Sequence, residues 1–460
     1  MLPDDVLLAI FDFCAYKRGW KEDVEAWQKL VHVCRRWRTV VFESPCRLDL
    51  RLVCATETPA RDTLDVWPAL PLAIQYAGDP RIGNVDNIVA VLERSNRVFQ
   101  IDLPEVLGSD LENISAAMQV PFPELTHLQF ASVSRLMEKT MPVLPDSFLG
   151  GSAPRLQKLL FHRIPFPGLP KLLLSATHLT DLSLFNIPHS GYFSPEAMIT
   201  ALSTLTSLQI LRLMFESPRS CPDRETRRPP LQTNIVLPDL TCFWFKGVTE
   251  YLEDLVASVD APRLYTFDIT FFNDIVFDTP QLIQFIGRAP TLTPLEEASV
   301  SLAYGTASVG LTSRTSRHVP RLHVKILCRD SDWQISSVEQ ICTSCLPFLF
   351  ILKDLYIFEG QLRQWKGNIE NTQWLELLRP FTAVKNLYLS QEVARLIMPA
   401  LQELDGGRTT EVLPALENTF LEGLEPSGPI QEGIGKFVAT RQVIGHPISV
   451  SRWDRPWGKR

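Results

Sequence analysis

Long apolar runs are missing from this 460-residue chain. None approaches the roughly 20 residues that a membrane-spanning helix needs. Asp4 and Asp5 stand where a secretory signal would require positive charge. A soluble, intracellular protein of the cytoplasm, the nucleus or both is expected. Histidine is scarce at eight residues. His127, His162 and His178 read as strand or loop histidines rather than general bases. Neither a G-x-S-x-G elbow nor an H-E-x-x-H helix occurs. Gly433-Ile434-Gly435-Lys436 lacks the hydroxyl residue and the spacing of a phosphate loop. The nine cysteines are odd in number and scattered through apolar patterns, so reduced thiols without disulfides are expected. Cys342-Thr343-Ser344-Cys345, with Cys328 and His323 upstream, has no second paired motif, which argues against zinc. No catalytic apparatus, metal or cofactor is therefore expected.

Excess positive charge is also missing. The formal net charge is -7 and the isoelectric point about 5.7, so no broad attraction to nucleic acid or an anionic membrane is expected. The one clear basic cluster, Arg219, Arg224, Arg227 and Arg228, lies in a proline-rich connection. It reads as a solvated insertion or as a loop for an acidic or phosphorylated partner. What the chain does have is apolar content, 45% against 21% charged, which suits an ordered protein with a large core.

The N-terminus is the most informative stretch. Pro3 suits a first helical turn, and Asp4 and Asp5 come next, where the helix dipole favours negative charge. Phe13, Val6, Ile10, Cys14, Leu7, Phe11 and Leu8 then sweep an apolar arc of roughly 220°. A surface helix needs little more than a 100° stripe, so one face should pack at home and another on a partner. A second helical pattern carries Trp27, Leu30, Val31, Cys34, Trp37 and Val41, and stops at Ser44-Pro45. Arg35, Arg36 and Arg38 form its wet face.

The order Leu2-Pro3, Leu7, Ile10-Phe11, then Val33-Cys34-Arg35-Arg36-Trp37, then Val40-Val41, resembles an F-box. Ala26 to Trp37 and Pro59 to Pro68 further resemble a large group of F-box proteins from mushroom-forming fungi, whose C-terminal parts are leucine-rich-repeat-like. The connection from Tyr16 to Glu25 is longer than in a minimal F-box. The resemblance implies a non-catalytic subunit of a Skp-cullin-F-box ubiquitin ligase, with the box docked on the Skp adaptor, and through it a cullin, and the C-terminal part holding an unknown target protein. Adaptor binding would fall on Leu2, Pro3, Val6, Leu7, Ile10, Phe11, Val33, Cys34, Trp37 and Val40, some of which, Trp37 above all, could instead hold the box together. A scaffold that uses the box without directing degradation is the alternative. An enzyme built on a misread α/β domain is a third reading.

Downstream, a leucine two residues after a proline, with another apolar residue three further on, recurs. Leu125, Leu156, Leu240 and Leu264 open such copies, and Leu179 and Leu208 open proline-free ones. Successive first leucines are separated by 31, 23, 29, 32 and 24 residues, close to leucine-rich-repeat periods. Weaker copies stand near Leu292, Leu322, Leu352, Val384 and Leu416. Helical patterns lie between copies, among them Pro195 to Leu202 with Ser194 as candidate cap, Glu250 to Val259, Gln281 to Gly287, Ser336 to Cys345 and Thr372 to Leu378. Strands are expected at Arg47 to Val53 and Leu70 to Tyr76. The expected fold is α/β: a helical F-box (1–54), a connector and first strand (55–75), an irregular leucine-rich-repeat-like solenoid (76–428) and a C-terminal cap (429–460) with a helix and a strand. A layered α/β domain is the alternative. Phe271, Phe272, Trp244 and Trp365 are core residues or recognition anchors, which the sequence alone does not separate.

Overall fold

Asp4 and Asp5 do open a helix, α1 (Asp4–Tyr16). The second helical pattern is not one helix. It breaks at Cys34, which is extended (φ -159°, ψ 168°), into α2 (Ala26–Val31) and α3 (Arg35–Phe42). The Cys34 thiol caps α3 by accepting the Trp37 N–H at 3.5 Å, so a weak sulfur acceptor does the work of the usual hydroxyl. The computed structural model from which these elements are taken describes residues 2–16, 26–45, 47–48, 50–55, 59–75, 85–132, 141–220, 234–272, 279–292, 295–313, 321–328, 331–346, 348–360, 369–404, 411–423 and 429–453. Two compact units divide the chain, Met1–Leu208 and Gln209–Arg460. Both are mixed α/β, each with a large, mostly parallel sheet.

In the first unit the three helices lead into β1 (Leu52–Ala55), α4 (Ala60–Val66), β2 (Leu72–Gln75), α5 (Val85–Leu92), β3 (Val98–Val106), α6 (Gly108–Ala117), β4 (His127–Ser132), β5 (Lys158–His162), α7 (Leu169–Leu173), β6 (Asp181–Ile187) and α8 (Pro195–Leu202). Strands β1 to β6 pair in chain order, all parallel. Helix α4 occupies a stretch that its prolines mark as a turn-rich connector. The first strand begins five residues later than the alternation from Arg47 suggests, because Leu48 and Leu50 are buried in turns ahead of it.

The second unit contains β7 (Ile210–Phe215), β8 (Ile235–Val236), β9 (Cys242–Gly247), α9 (Thr249–Ala257), β10 (Val259–Asp260), β11 (Thr266–Phe271), α10 (Pro280–Arg288), β12 (Glu297–Ala303), β13 (Thr306–Thr312) and β14 (Leu322–Leu327). Then come α11 (Ser331–Ser344), β15 (Asp354–Glu359), α12 (Asn371–Leu378), β16 (Asn386–Leu389), α13 (Gln391–Gln402), β17 (Asn418–Glu422), α14 (Pro429–Val443) and β18 (Ser449–Trp453). The sheet order is β7-β9-β11-β14-β13-β12-β15-β16-β17-β18, with β8 and β10 as a separate short pair. Only β13 runs antiparallel to its neighbours, β12 and β14.

The leucines singled out by spacing share one local structure. In ten of the eleven copies the residue is buried and its N–H donates to the carbonyl three residues back, as at Leu125 to Phe122, Leu240 to Leu237 and Val384 to Phe381. A strand then begins within a few residues. The exception is Leu322, which sits inside β14, next to the antiparallel hairpin. Strand residues alternate: Leu128 and Phe130, or Phe243 and Phe245, point into the core, and their neighbours are half-exposed. Core rings stack along the sheet, Phe130 on Phe161 at 5.9 Å and Phe243 on Phe267 at 5.1 Å. Ser194 caps α8 through a 3.2 Å bond from the Ala197 N–H, with Pro195 as first helical residue. Helix α10 is capped from its neighbour: the buried Glu253 carboxylate of α9 accepts the Gln281 and Leu282 N–H groups at 3.0 and 2.8 Å.

Replacing one turn leucine should therefore cost as much as emptying any core site. Leu240→Ala is expected to destabilise the protein by about 3 kcal/mol; chemical denaturation followed by circular dichroism measures it, and a loss below about 1 kcal/mol would show that the turn does not anchor the strand.

Candidate functional site

Two surfaces stand out, one in each unit. The first is α1. Leu7, Leu8 and Phe11 enter the core with Trp27, Val31, Val40 and Val41. The Phe11 ring meets Trp37 edge-on at 4.8 Å. Of the ten residues expected on one adaptor face, then, Leu7, Phe11 and Val40 are enclosed and Trp37 is half-buried, because α3 docks on that side of α1. Leu2, Pro3, Val6, Ile10, Val33 and Cys34 are exposed. Val6 and Ile10, four residues apart on α1, share a stripe, 40 and 42% exposed, with Leu2, 51% exposed, just ahead of the helix; Phe13, 60% exposed, continues the stripe and was not among the expected residues. Its signal was in the sequence, one turn beyond Ile10.

The ends of α1 and α3 are tied together by Arg36, which donates to Asp4 Oδ1 at 2.5 and 3.1 Å and to the Leu2 carbonyl at 2.5 Å. Arg36 is thus a structural clamp rather than part of a purely solvated face, as is Arg38, whose Nε donates to the Val31 carbonyl at 3.0 Å. The three helices are joined to the sheet by Trp27. Its indole N–H donates to the Arg51 carbonyl at 3.1 Å and its ring meets Trp67 at 5.1 Å and Phe42 at 6.1 Å.

The second surface is the strand face of the second unit that the helices leave open. Register places Arg212, Trp244, Asp268, His323, Gly310, Ser299, Tyr356, Tyr388 and Phe420 in one row across it. Arg212 lies over the Trp244 ring at 4.3 Å and His323 Nδ1 is 2.9 Å from Asp268. Tyr356, Tyr388 and Phe420 stack nearly parallel, 4.2 and 4.5 Å apart, with Trp453 5.6 Å from Tyr388. Burial, with Glu297 and Asp354 nearby, pushes the Tyr356 phenol up from its ordinary value. One row below, a chain of amides links four strands: Asn386 donates to Asp354 at 2.5 Å, Asn418 to Asn386 at 2.8 Å, and Ser449 to Asn418. These partners lie 32, 32 and 31 residues apart, a period that the leucine spacing already carried.

Of the aromatics left open by sequence, Phe271 and Phe272 are buried, Trp244 is half-exposed on the strand face, and Trp365 lies outside the described residues. Arg219 is exposed in a short turn (Pro218–Ser220), while Arg224, Arg227 and Arg228 lie outside the described residues. Cys342 and Cys345 are both in the core, where Cys345 Sγ accepts the Thr279 hydroxyl at 3.2 Å. Among the described residues no cluster of three potential metal ligands occurs, and no helix is long and apolar enough to cross a membrane. Neither a protein-family model nor a curated protein matches this chain.

Burial pushes the Cys345 thiol up to about 11 from 9.0, opposed by the Thr279 hydrogen bond. Its raised folded value means that the stability it contributes is intact below about pH 9 and is lost as the pH rises toward 11. At pH 8 iodoacetamide should label the exposed Cys34 in the native protein and leave Cys342 and Cys345 untouched; mass spectrometry of the alkylated peptides tests this, and rapid native labelling of Cys345 would contradict its enclosure.

Proposed function

We propose that this chain is the substrate-receptor subunit of a Skp-cullin-F-box type ubiquitin ligase. The F-box helices dock on the Skp adaptor, and an irregular leucine-rich-repeat-like solenoid presents its open strand face to a target protein. The observation that carries the reading is the exposed apolar stripe of Val6 and Ile10, with exposed Leu2 just ahead of it, on a helix whose other side already fills a core. Such a stripe costs solvation free energy in the free protein and regains roughly 1–1.5 kcal/mol per half-exposed side chain when a partner covers it. The F-box resemblance of Leu2-Pro3, Ile10-Phe11 and Val33 to Trp37 names that partner. The recurring buried leucine turn and the 32-residue amide chain support a repeat reading of the chain beyond the box.

In this role the chain performs no bond chemistry. It acts in the cytoplasm or nucleus by holding target lysines near ubiquitin-transferring subunits, which raises their effective concentration.

The decisive experiment is capture of purified Skp adaptor by the full chain, beside Ile10→Asp and Leu7→Asp. Ile10→Asp should abolish capture while circular dichroism and thermal unfolding stay as in the parent, because its side chain is 42% exposed. Leu7→Asp should instead unfold the helical region, since Leu7 is 4% exposed and a buried carboxylate has no partner there. Failure of the folded parent chain to bind adaptor would overturn the assignment. Adaptor capture without a cullin would favour a scaffold that directs no degradation.

A further inference from the structure

The open strand face of the second unit has a built asymmetry that specifies more than a generic target surface. At its middle, the hairpin strands β12 and β13 present small groups, Ser299, Ser301, Ser308 and Gly310, while Glu297 stands at the start of β12 in register with Thr312 and Asp354. The small groups form a low floor between Lys325 of β14 and Tyr356 of β15. Beyond Lys325, Thr270 of β11 stands in register with Lys325 on one side and with Lys246 on the other. The two lysines are thus two strand spacings apart, about 10 Å, and bracket one hydroxyl.

Both lysines are half-buried, and among the described residues neither forms an ion pair. Burial pulls the Lys246 ammonium below its ordinary value; Glu216 opposes this and Lys325 adds to it. Lys246 Nζ lies 5.5 Å from the Phe272 ring centre, which fixes its side of the bracket. The nearest carboxylate on the intervening strand, Asp268, stands two positions back and is held by His323 at 2.9 Å, so two cations beside the Thr270 hydroxyl remain complementary to an anionic oxygen group. A polyanion does not fit, because Glu297 at one end of the floor and Asp354 beside it on β15 face the same surface. One local anion on an otherwise neutral, extended chain does.

Resting on the receptor reading above, we propose that this face holds an extended polypeptide segment of the target, with a carboxylate or phosphate of that segment seated over Thr270 between Lys246 and Lys325. The segment crosses the small-residue floor and packs an apolar ring against Tyr356 and Tyr388. From β11 to β15 is four strand spacings, about 19 Å, which about six residues of extended chain span. The anion and the ring are therefore about six positions apart.

A peptide array tests this on the purified full chain without adaptor. Each peptide carries phosphoserine, glutamate or serine at one fixed position and phenylalanine scanned from three to eight positions away, with mixtures elsewhere; binders are re-measured by fluorescence anisotropy. Retention of the phosphoserine or glutamate series but not the serine series, best with phenylalanine about six positions on, is the expected result. Whichever anion binds more tightly identifies the source. Inorganic phosphate should compete, Lys246→Gln and Lys325→Gln should each weaken binding about tenfold, and Tyr356→Ala should flatten the spacing preference. These variants should still capture adaptor, so a failure here is separable from a failure of the ligase assignment. Equal binding of the serine series, unchanged binding by both lysine variants, or no peptide retained at about 1 mM would overturn the proposal.

Discussion

Parallel strands cannot be joined by tight turns, and every one of them must be reached by a crossover that returns the chain to the same end of the sheet. The buried leucine turn is how this chain meets that constraint. At ten of these returns a leucine or valine enters the core and its N–H closes a bond to the carbonyl three residues earlier. The turn thereby aims the backbone along the next strand within a few residues. Proline two residues ahead, at Pro123, Pro154, Pro238 and Pro262, stiffens the same turn. A single strand-and-helix repeat gains roughly 6 to 15 kcal/mol from four or five buried side chains and loses more than that in backbone entropy. Repeats are stable only against neighbours in register, so the turn that sets register matters more than any one contact.

This constraint explains which parts of the fold were legible. The turn leucines, the Ser194-Pro195 cap and the C-terminal helix and strand could be read because each is a local pattern with a local cause. Three features were not read. Cys34 ends a helical pattern without glycine or proline, because a thiol took the capping role. Helix α4 hides among prolines that also suit turns. The β12–β13 hairpin was passed over although Ala298, Val300, Leu302 and then Ala307, Val309, Leu311 alternate around Tyr304-Gly305. Gly305 has φ +73° and Tyr304 does not have positive φ, the sign pattern of a type II turn, whose second central position favours glycine. A search tuned to a repeat of about 30 residues misses a strand pair that interrupts it.

At the N-terminus the sequence carried the amount of apolar surface but not its allocation. An arc of roughly 220° says that α1 has two partners. Which residues face inward depends on where α3 lands, which the burial of Leu7, Leu8 and Phe11 with Val40 and Val41 sets, while Arg36 ties the helix ends through exposed contacts to Asp4 and the Leu2 carbonyl. Once α3 is fixed there, Phe11 must meet Trp37 and Leu7 must be enclosed, leaving Leu2, Val6 and Ile10 outward. The exposed stripe is what remains of the apolar arc once α3 has covered the other side of the helix.

The hairpin of the second unit has a similar indirect effect. An antiparallel pair needs no crossover helix, so β12 and β13 widen the sheet without a helix of their own, and α11 packs over β13 and β14. The inward residues Val300, Leu302, Val309 and Leu311 stay buried under this shared cover. The middle outward positions carry serine and glycine where β14 carries histidine and lysine and β15 carries tyrosine and phenylalanine. A break in topology thus becomes a low floor with a basic wall on one side and an aromatic wall on the other. Depth on a flat sheet can arise only from such differences in side-chain size between adjacent strands, since the backbone itself offers none.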